Sequence, residues 1–164
     1  MQLPYRKPGK YTNLPNDPMM TGHKFAELHK ELDALKKKQP QAASEVARLA
    51  ELGDFSENVE YQQAKGRLRG ILNAITKIEF QLNQAEIIGP TNSGVVEIGS
   101  RVTVQTDGKK KTFTILGSLE SDPGRDIISY TSPLGGALLG KKVGENVHID
   151  IKETSVEYLI VDIS

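Results

Sequence analysis

The stretch ELGDFSENVEY, residues 51–61, places a carboxylate at every third position: Glu51, Asp54, Glu57 and Glu60. Crowded negative charge of this kind either caps a helix or faces a cation. The flanking sequence decides which fold carries it. Upstream, Phe25, Leu28, Leu32, Leu35, Gln39, Ala42, Val46 and Leu49 are spaced 3-4-3-4-3-4-3, and downstream Tyr61, Ala64, Leu68, Ile71, Ile75, Ile78, Leu82 and Ala85 repeat that spacing. Each run puts one side chain per half-heptad on a single seam. Paired in antiparallel order, from Leu49 with Tyr61 to Phe25 with Ala85, the two runs are mirror images about Phe55. They therefore predict an antiparallel coiled-coil hairpin over residues 21–86, with the quoted stretch as its tip. Thr21 is the expected N-cap of the first helix. At 1.5 Å per residue, the arm from Phe25 to Leu49 extends about 36 Å. Pro40 interrupts the first arm, where loss of a backbone donor costs about 3 kcal/mol, and a kink or short break is expected there. Gln39 weakens the same layer of the seam.

The remainder of the chain divides by composition. Residues 1–20 hold four prolines and no periodic pattern, which predicts a flexible tail. Residues 87–94 carry Gly89, Pro90 and Gly94, the marks of a linker. From 95 to 164, β-branched alternation in RVTVQT, TFTILGS, DIISY, NVHIDI and VEYLIVDI alternates with turn-rich breaks, and LGGALLG reads as one short helix. The expected class is α+β in two domains: the helical hairpin, then an antiparallel sheet with one short helix.

Composition narrows the chemistry. The 164 residues include 21 basic and 21 acidic side chains, so any contact with nucleic acid is local or shared with a partner. The absence of cysteine removes disulfides, thiolate zinc sites and cysteine nucleophiles. The three histidines, His23, His29 and His148, lack a second ligand at metal spacing and read as surface residues. No apolar run approaches membrane-spanning length and the N-terminus lacks a signal-peptide core, so a cytosolic protein without membrane contact is expected.

Two motifs invite chemistry. GGALLGKK, residues 135–142, approaches the phosphate-loop pattern, but Lys142 stands where a hydroxyl is required, and nucleotide binding is set aside. At the tip, Asp54 and Glu57 fit two readings. As a capping box, Asp54 accepts a backbone N–H and Glu57 reaches back to the cap. As metal ligands, two carboxylates supply too few of the six oxygens that Mg²⁺ requires, so they would complete a site whose other ligands belong to a partner. Behind the tip, Arg48, Lys65, Arg67 and Arg69 either guide a nucleic-acid backbone past the metal or simply solvate a helix face.

GDFSENVEY at a hairpin tip, followed by SPLGGALLGKKVGE and a final EYLIVDI, resembles the GreA/GreB family of bacterial transcript-cleavage factors. The resemblance covers residues 21–164. It implies a coiled coil that enters the secondary channel of bacterial RNA polymerase and a C-terminal domain of FKBP-like fold that docks at the channel rim. It further implies that the tip acids help hold the second Mg²⁺ of the polymerase active site, which hydrolyses the 3′ part of a backtracked nascent RNA. By position, Asp54 and Glu57 are the metal-directed acids, Asn58 and Tyr61 support the tip, and Lys65 is a basic residue of the family. The chain departs from the family in its proline-rich start and in Ala50, where a basic residue is common. A monomer that stimulates the polymerase's own cleavage activity, and is not itself an enzyme, is expected. The alternatives are a channel-binding regulator that does not promote cleavage and, from the fold alone, a prolyl isomerase. Few aromatics, Phe113, Tyr130 and Tyr158, are present to line an isomerase pocket.

Overall fold

The computed structural model describes residues 17–53, 58–89 and 92–164. Helix α1 spans Gly22–Ala50 and helix α2 spans Val59–Asn83. Thr21 caps α1, its side chain accepting a hydrogen bond from the Lys24 N–H at 3.2 Å. Leu28 and Leu32, near the start of α1, share a buried cluster with Ile75 and Ile78, near the end of α2, so the helices run antiparallel in the mirrored register. Towards the apex the seam closes on Leu49 and Ala64, which are 2% and 1% exposed. Ion pairs brace the flanks: Lys36 Nζ meets Glu79 Oε1 at 2.7 Å, and Arg67 Nη2 meets Glu45 Oε1 at 2.9 Å. The break expected at Pro40 does not occur, because α1 is helical on both sides of it and through it. Proline removes a single N–H, and the apolar layers before and after it hold the helix against α2.

At the root of the hairpin, strand β1 (Met19–Thr21) pairs in parallel with strand β2 (Glu86–Ile88), with Met19 opposite Glu86 and Thr21 opposite Ile88. This corrects two expectations. Of the expected tail, residues 1–16 lie outside the described residues, while residues 17–20 are docked, with Met20 fully buried. The expected linker likewise loses Ile87 and Ile88 to β2, while Pro90 and Thr91 lie outside the described residues. Three-residue strands are too short to show alternation, and their partners are remote in sequence.

Strands β3 (Arg101–Thr106), β4 (Lys109–Leu116), β5 (Ile127–Ser129), β6 (Asn146–Ile151) and β7 (Thr154–Ile163) form one sheet in the order β5-β4-β3-β7-β6. All neighbours are antiparallel except β4 and β5, whose parallel pairing corrects the expectation of a wholly antiparallel sheet. The β3–β4 turn needs left-handed backbone at Asp107 and Gly108, with φ of 48° and 75°. Helix α3 (Pro133–Leu138), capped by Ser132, inserts Leu138 among Val96, Val102, Val104, Ile115 and Ile160. A Cβ at Gly135 would lie 2.1 Å from the Ser129 carbonyl oxygen, so only glycine lets α3 approach β5 this closely. Here GGALLGKK ends a short helix instead of opening one, and Lys142 is held in a bridge to Val95. Among the described residues, no helix is long and apolar enough to cross a membrane.

Candidate functional site at the hairpin apex

The apex is built from the two helix ends that face it. Helix α1 closes at Glu51, whose N–H bonds back to the carbonyls of Ala47 and Leu49. Gly53 then adopts φ of 117°, a conformation that L side chains rarely enter. Asp54 and Glu57, the two acids singled out in the sequence, lie outside the described residues, on the chain between Gly53 and Asn58. Description resumes at Asn58, which is extended and accepts from the Tyr61 N–H through Oδ1 at 3.1 Å. Asn58 is therefore the N-cap of α2. The capping-box reading falls on Asp54 and Glu57 and so lies outside the described residues; the amide of Tyr61 is satisfied by Asn58.

Each remaining candidate has a definite place. Tyr61 is half-buried in the first turn of α2, and Lys65 Nζ lies 5.3 Å from its ring centroid, a cation–π contact between tip support and basic residue. Arg48 is exposed in the last turn of α1, where the helix dipole favours a cation. Lys65 and Arg69 are both exposed and one helical turn apart on α2. Arg67 is the exception among the four basic residues, since its guanidinium is engaged with Glu45 across the hairpin. Glu45 was missed as a partner, although residues of opposite sign flanking the seam are the usual signal for such a bridge. Glu51 and Glu60 are exposed on either side of the acid pair, and so are Leu52 and Val59.

The donor set at the apex is hard oxygen, which suits Mg²⁺, but two carboxylates leave most of its octahedron to other ligands. Among the described residues, no group of three or more His, Cys, Asp or Glu side chains could hold a metal ion. His29 stands edge-on to Phe25 with centroids 4.7 Å apart, and His148 Nε2 lies 3.6 Å from Glu157. A cavity of about 530 Å³ in the C-terminal domain is lined by Gln105, Thr106, Asp107, Asn146, Glu157 and neighbouring residues, while Phe113 belongs to the core. That lining is polar, unlike the aromatic pocket an isomerase reading calls for.

Comparison with known proteins follows the two-part fold. Residues 18–87 match the family described as "Transcription elongation factor, N-terminal", and residues 90–164 match "Transcription elongation factor, GreA/GreB, C-term". The protein named transcription elongation factor GreA from Treponema pallidum (strain Nichols) is 39% identical over 136 residues, covering 80% of this chain and 84% of its own. The protein of the same name from Thermosipho africanus is 37% identical over 147 residues, covering 88% and 94%. Among solved structures, one titled "Structure of the transcription factor Gfh1" is 24% identical with a TM-score of 0.42, covering 88% of this chain and 95% of that one.

Proposed function

The chain belongs to the GreA/GreB family of transcription elongation factors, and from that premise we propose that it reactivates stalled bacterial RNA polymerase by stimulating cleavage of the backtracked transcript. The observation that supports this reading is a long zipped hairpin whose two helices are joined by the stretch of sequence that bears the acid pair. The seam is buried or half-buried along both helices, and Asn58 caps α2. In this reading the hairpin enters the secondary channel of the polymerase in the cytoplasm, and the C-terminal domain stays at its rim. Asp54 and Glu57 would each offer a carboxylate oxygen to the second Mg²⁺, with polymerase side chains and an RNA phosphate supplying the other ligands. When bound there, the ion would supply Lewis-acid polarisation of the phosphate and an activated water. Asn58 fixes the start of α2. Lys65, oriented by Tyr61, and the exposed Arg48 and Arg69 would grip the phosphates of the extruded RNA 3′ end.

The test is transcript cleavage in a stalled elongation complex. Wild-type protein should shorten the RNA. Asp54→Asn or Glu57→Gln should slow cleavage about 100-fold, the several kcal/mol that metal-assisted stabilisation is worth, while still competing with wild type for the polymerase. Undiminished cleavage by both variants would defeat the proposal, and a wild-type protein that binds without cleaving would assign it to the non-cleaving regulators.

A further inference from the structure

We propose that Asp17 is a positioning residue: its carboxylate, gripped by the C-terminal domain, sets the direction in which the helical arm leaves that domain. Asp17 precedes β1. Its Oδ2 accepts from the Ser118 N–H at 2.6 Å, and its Oδ1 accepts from the Tyr130 hydroxyl and the Met19 N–H, both at 3.0 Å. Two donors belong to the C-terminal domain and the third to the strand that leads into the arm, so one carboxylate ties the two parts together.

A second carboxylate makes the reciprocal contact. Glu120, in the short 3₁₀ turn Ser118–Glu120, accepts from the Thr21 N–H at 2.8 Å and from the Thr21 hydroxyl at 2.5 Å. Thr21 is also the N-cap of α1, so this bond ends on the first turn of the arm itself. The backbones between the two clamps touch: a Cβ at Gly117 would lie 2.0 Å from the Met19 carbonyl oxygen. Leu119 adds an apolar contact to the cluster of Met20, Leu28 and Ile78.

The need for stiffness here is one of leverage. Over an arm of about 36 Å, a rotation of about 5° at the root carries the apex about 3 Å. An apex spread over such distances is aligned for only a fraction of the time, and its apparent affinity falls by that fraction. A carboxylate with both oxygens occupied by donors from two elements resists such rotation better than an apolar contact, because hydrogen bonds to a charged acceptor are short and directional.

The test uses the full chain, which has no cysteine of its own. Spin labels at Ala43→Cys on the arm and Glu153→Cys on the C-terminal domain, both exposed positions, report the distance between the two parts. Asp17→Ala should broaden that distribution without changing the helical circular dichroism, and Tyr130→Phe should broaden it less. If the aligned fraction falls to about one-tenth, the concentration for half-maximal cleavage rises about tenfold while the rate at saturation stays unchanged. A distribution identical to that of the unsubstituted chain in both variants would overturn the proposal, and so would a broadened distribution with an unshifted half-maximal concentration. The cleavage measurement rests on the function proposed above and the distance measurement does not. Failure of that function would therefore show as cleavage absent in every variant, with the Asp17 effect on distance intact.

Discussion

At the scale of single residues, the apex works because duties are divided. Asn58 satisfies the Tyr61 amide at the start of α2, and the Lys65 ammonium lies over the Tyr61 ring. Asn58→Ala should therefore lower stability by about 1 kcal/mol, measured by denaturant unfolding, and should also slow cleavage because α2 loses its cap. At the root, Asp17 behaves differently from an ordinary surface carboxyl. Burial pushes its pKa up, but hydrogen bonds from Ser118, Met19 and Tyr130 outweigh burial and bring it below the ordinary 3.8. Burial, the bond to Asp17 and the charges of Asp17 and Glu86 push the Tyr130 hydroxyl above its ordinary 10.0. A depressed acid stabilises the docked state above its unfolded value and loses that contribution as pH falls through the folded one. A raised phenol does the converse at high pH. The distance between arm and C-terminal domain should thus be constant between about pH 4 and pH 10 and widen outside that window, as pulsed dipolar spectroscopy on labelled chain would record. The acid pair is read from type and spacing and lies outside the described residues, whereas Asp17 was not legible, because its partners lie about a hundred residues away and leave no local pattern.

At the scale of elements, a sixteen-position seam was legible because a seven-residue repeat accumulates, so a single polar or proline layer cannot hide it. The break allowed for at its weakest layer does not occur, because the same repeat continues on both sides of it. Pro40 lacks one hydrogen bond, but the layers around it keep α1 helical. Pro40→Ala should consequently raise the thermal midpoint, by up to about 3 kcal/mol in equivalent free energy, whereas Ile75→Ala in the buried seam should lower stability by about 2–5 kcal/mol. Differential scanning calorimetry separates the two signs. The strands of the sheet were legible through alternation, while the parallel pairing of β4 with β5 and the pairing of β1 with β2 were not, since strand order is a property of tertiary packing and not of local period. Arg67 shows the same limit at the surface. Its charge was visible, but its engagement with Glu45 depends on the register of two helices. Because exposed pairs of this kind contribute little stability, that contact restrains the guanidinium more than it strengthens the hairpin.

At the scale of the whole molecule, two small bodies are joined at one end of a long lever, and the acid pair stands on the chain at the other. Clamped root and zipped arm suit the proposed role, in which the acid pair would carry two ligands into a site the protein does not own. The direct measurement is the Mg²⁺ dependence of transcript cleavage in a stalled elongation complex, with and without the factor. The factor should shift half-maximal cleavage to lower Mg²⁺, and the Asp54→Asn, Glu57→Gln double variant, added at a concentration that occupies the polymerase, should return it to the value for polymerase alone. A wild-type factor that leaves the Mg²⁺ curve where polymerase alone puts it, or a double variant that shifts it as far as wild type does, would contradict the account.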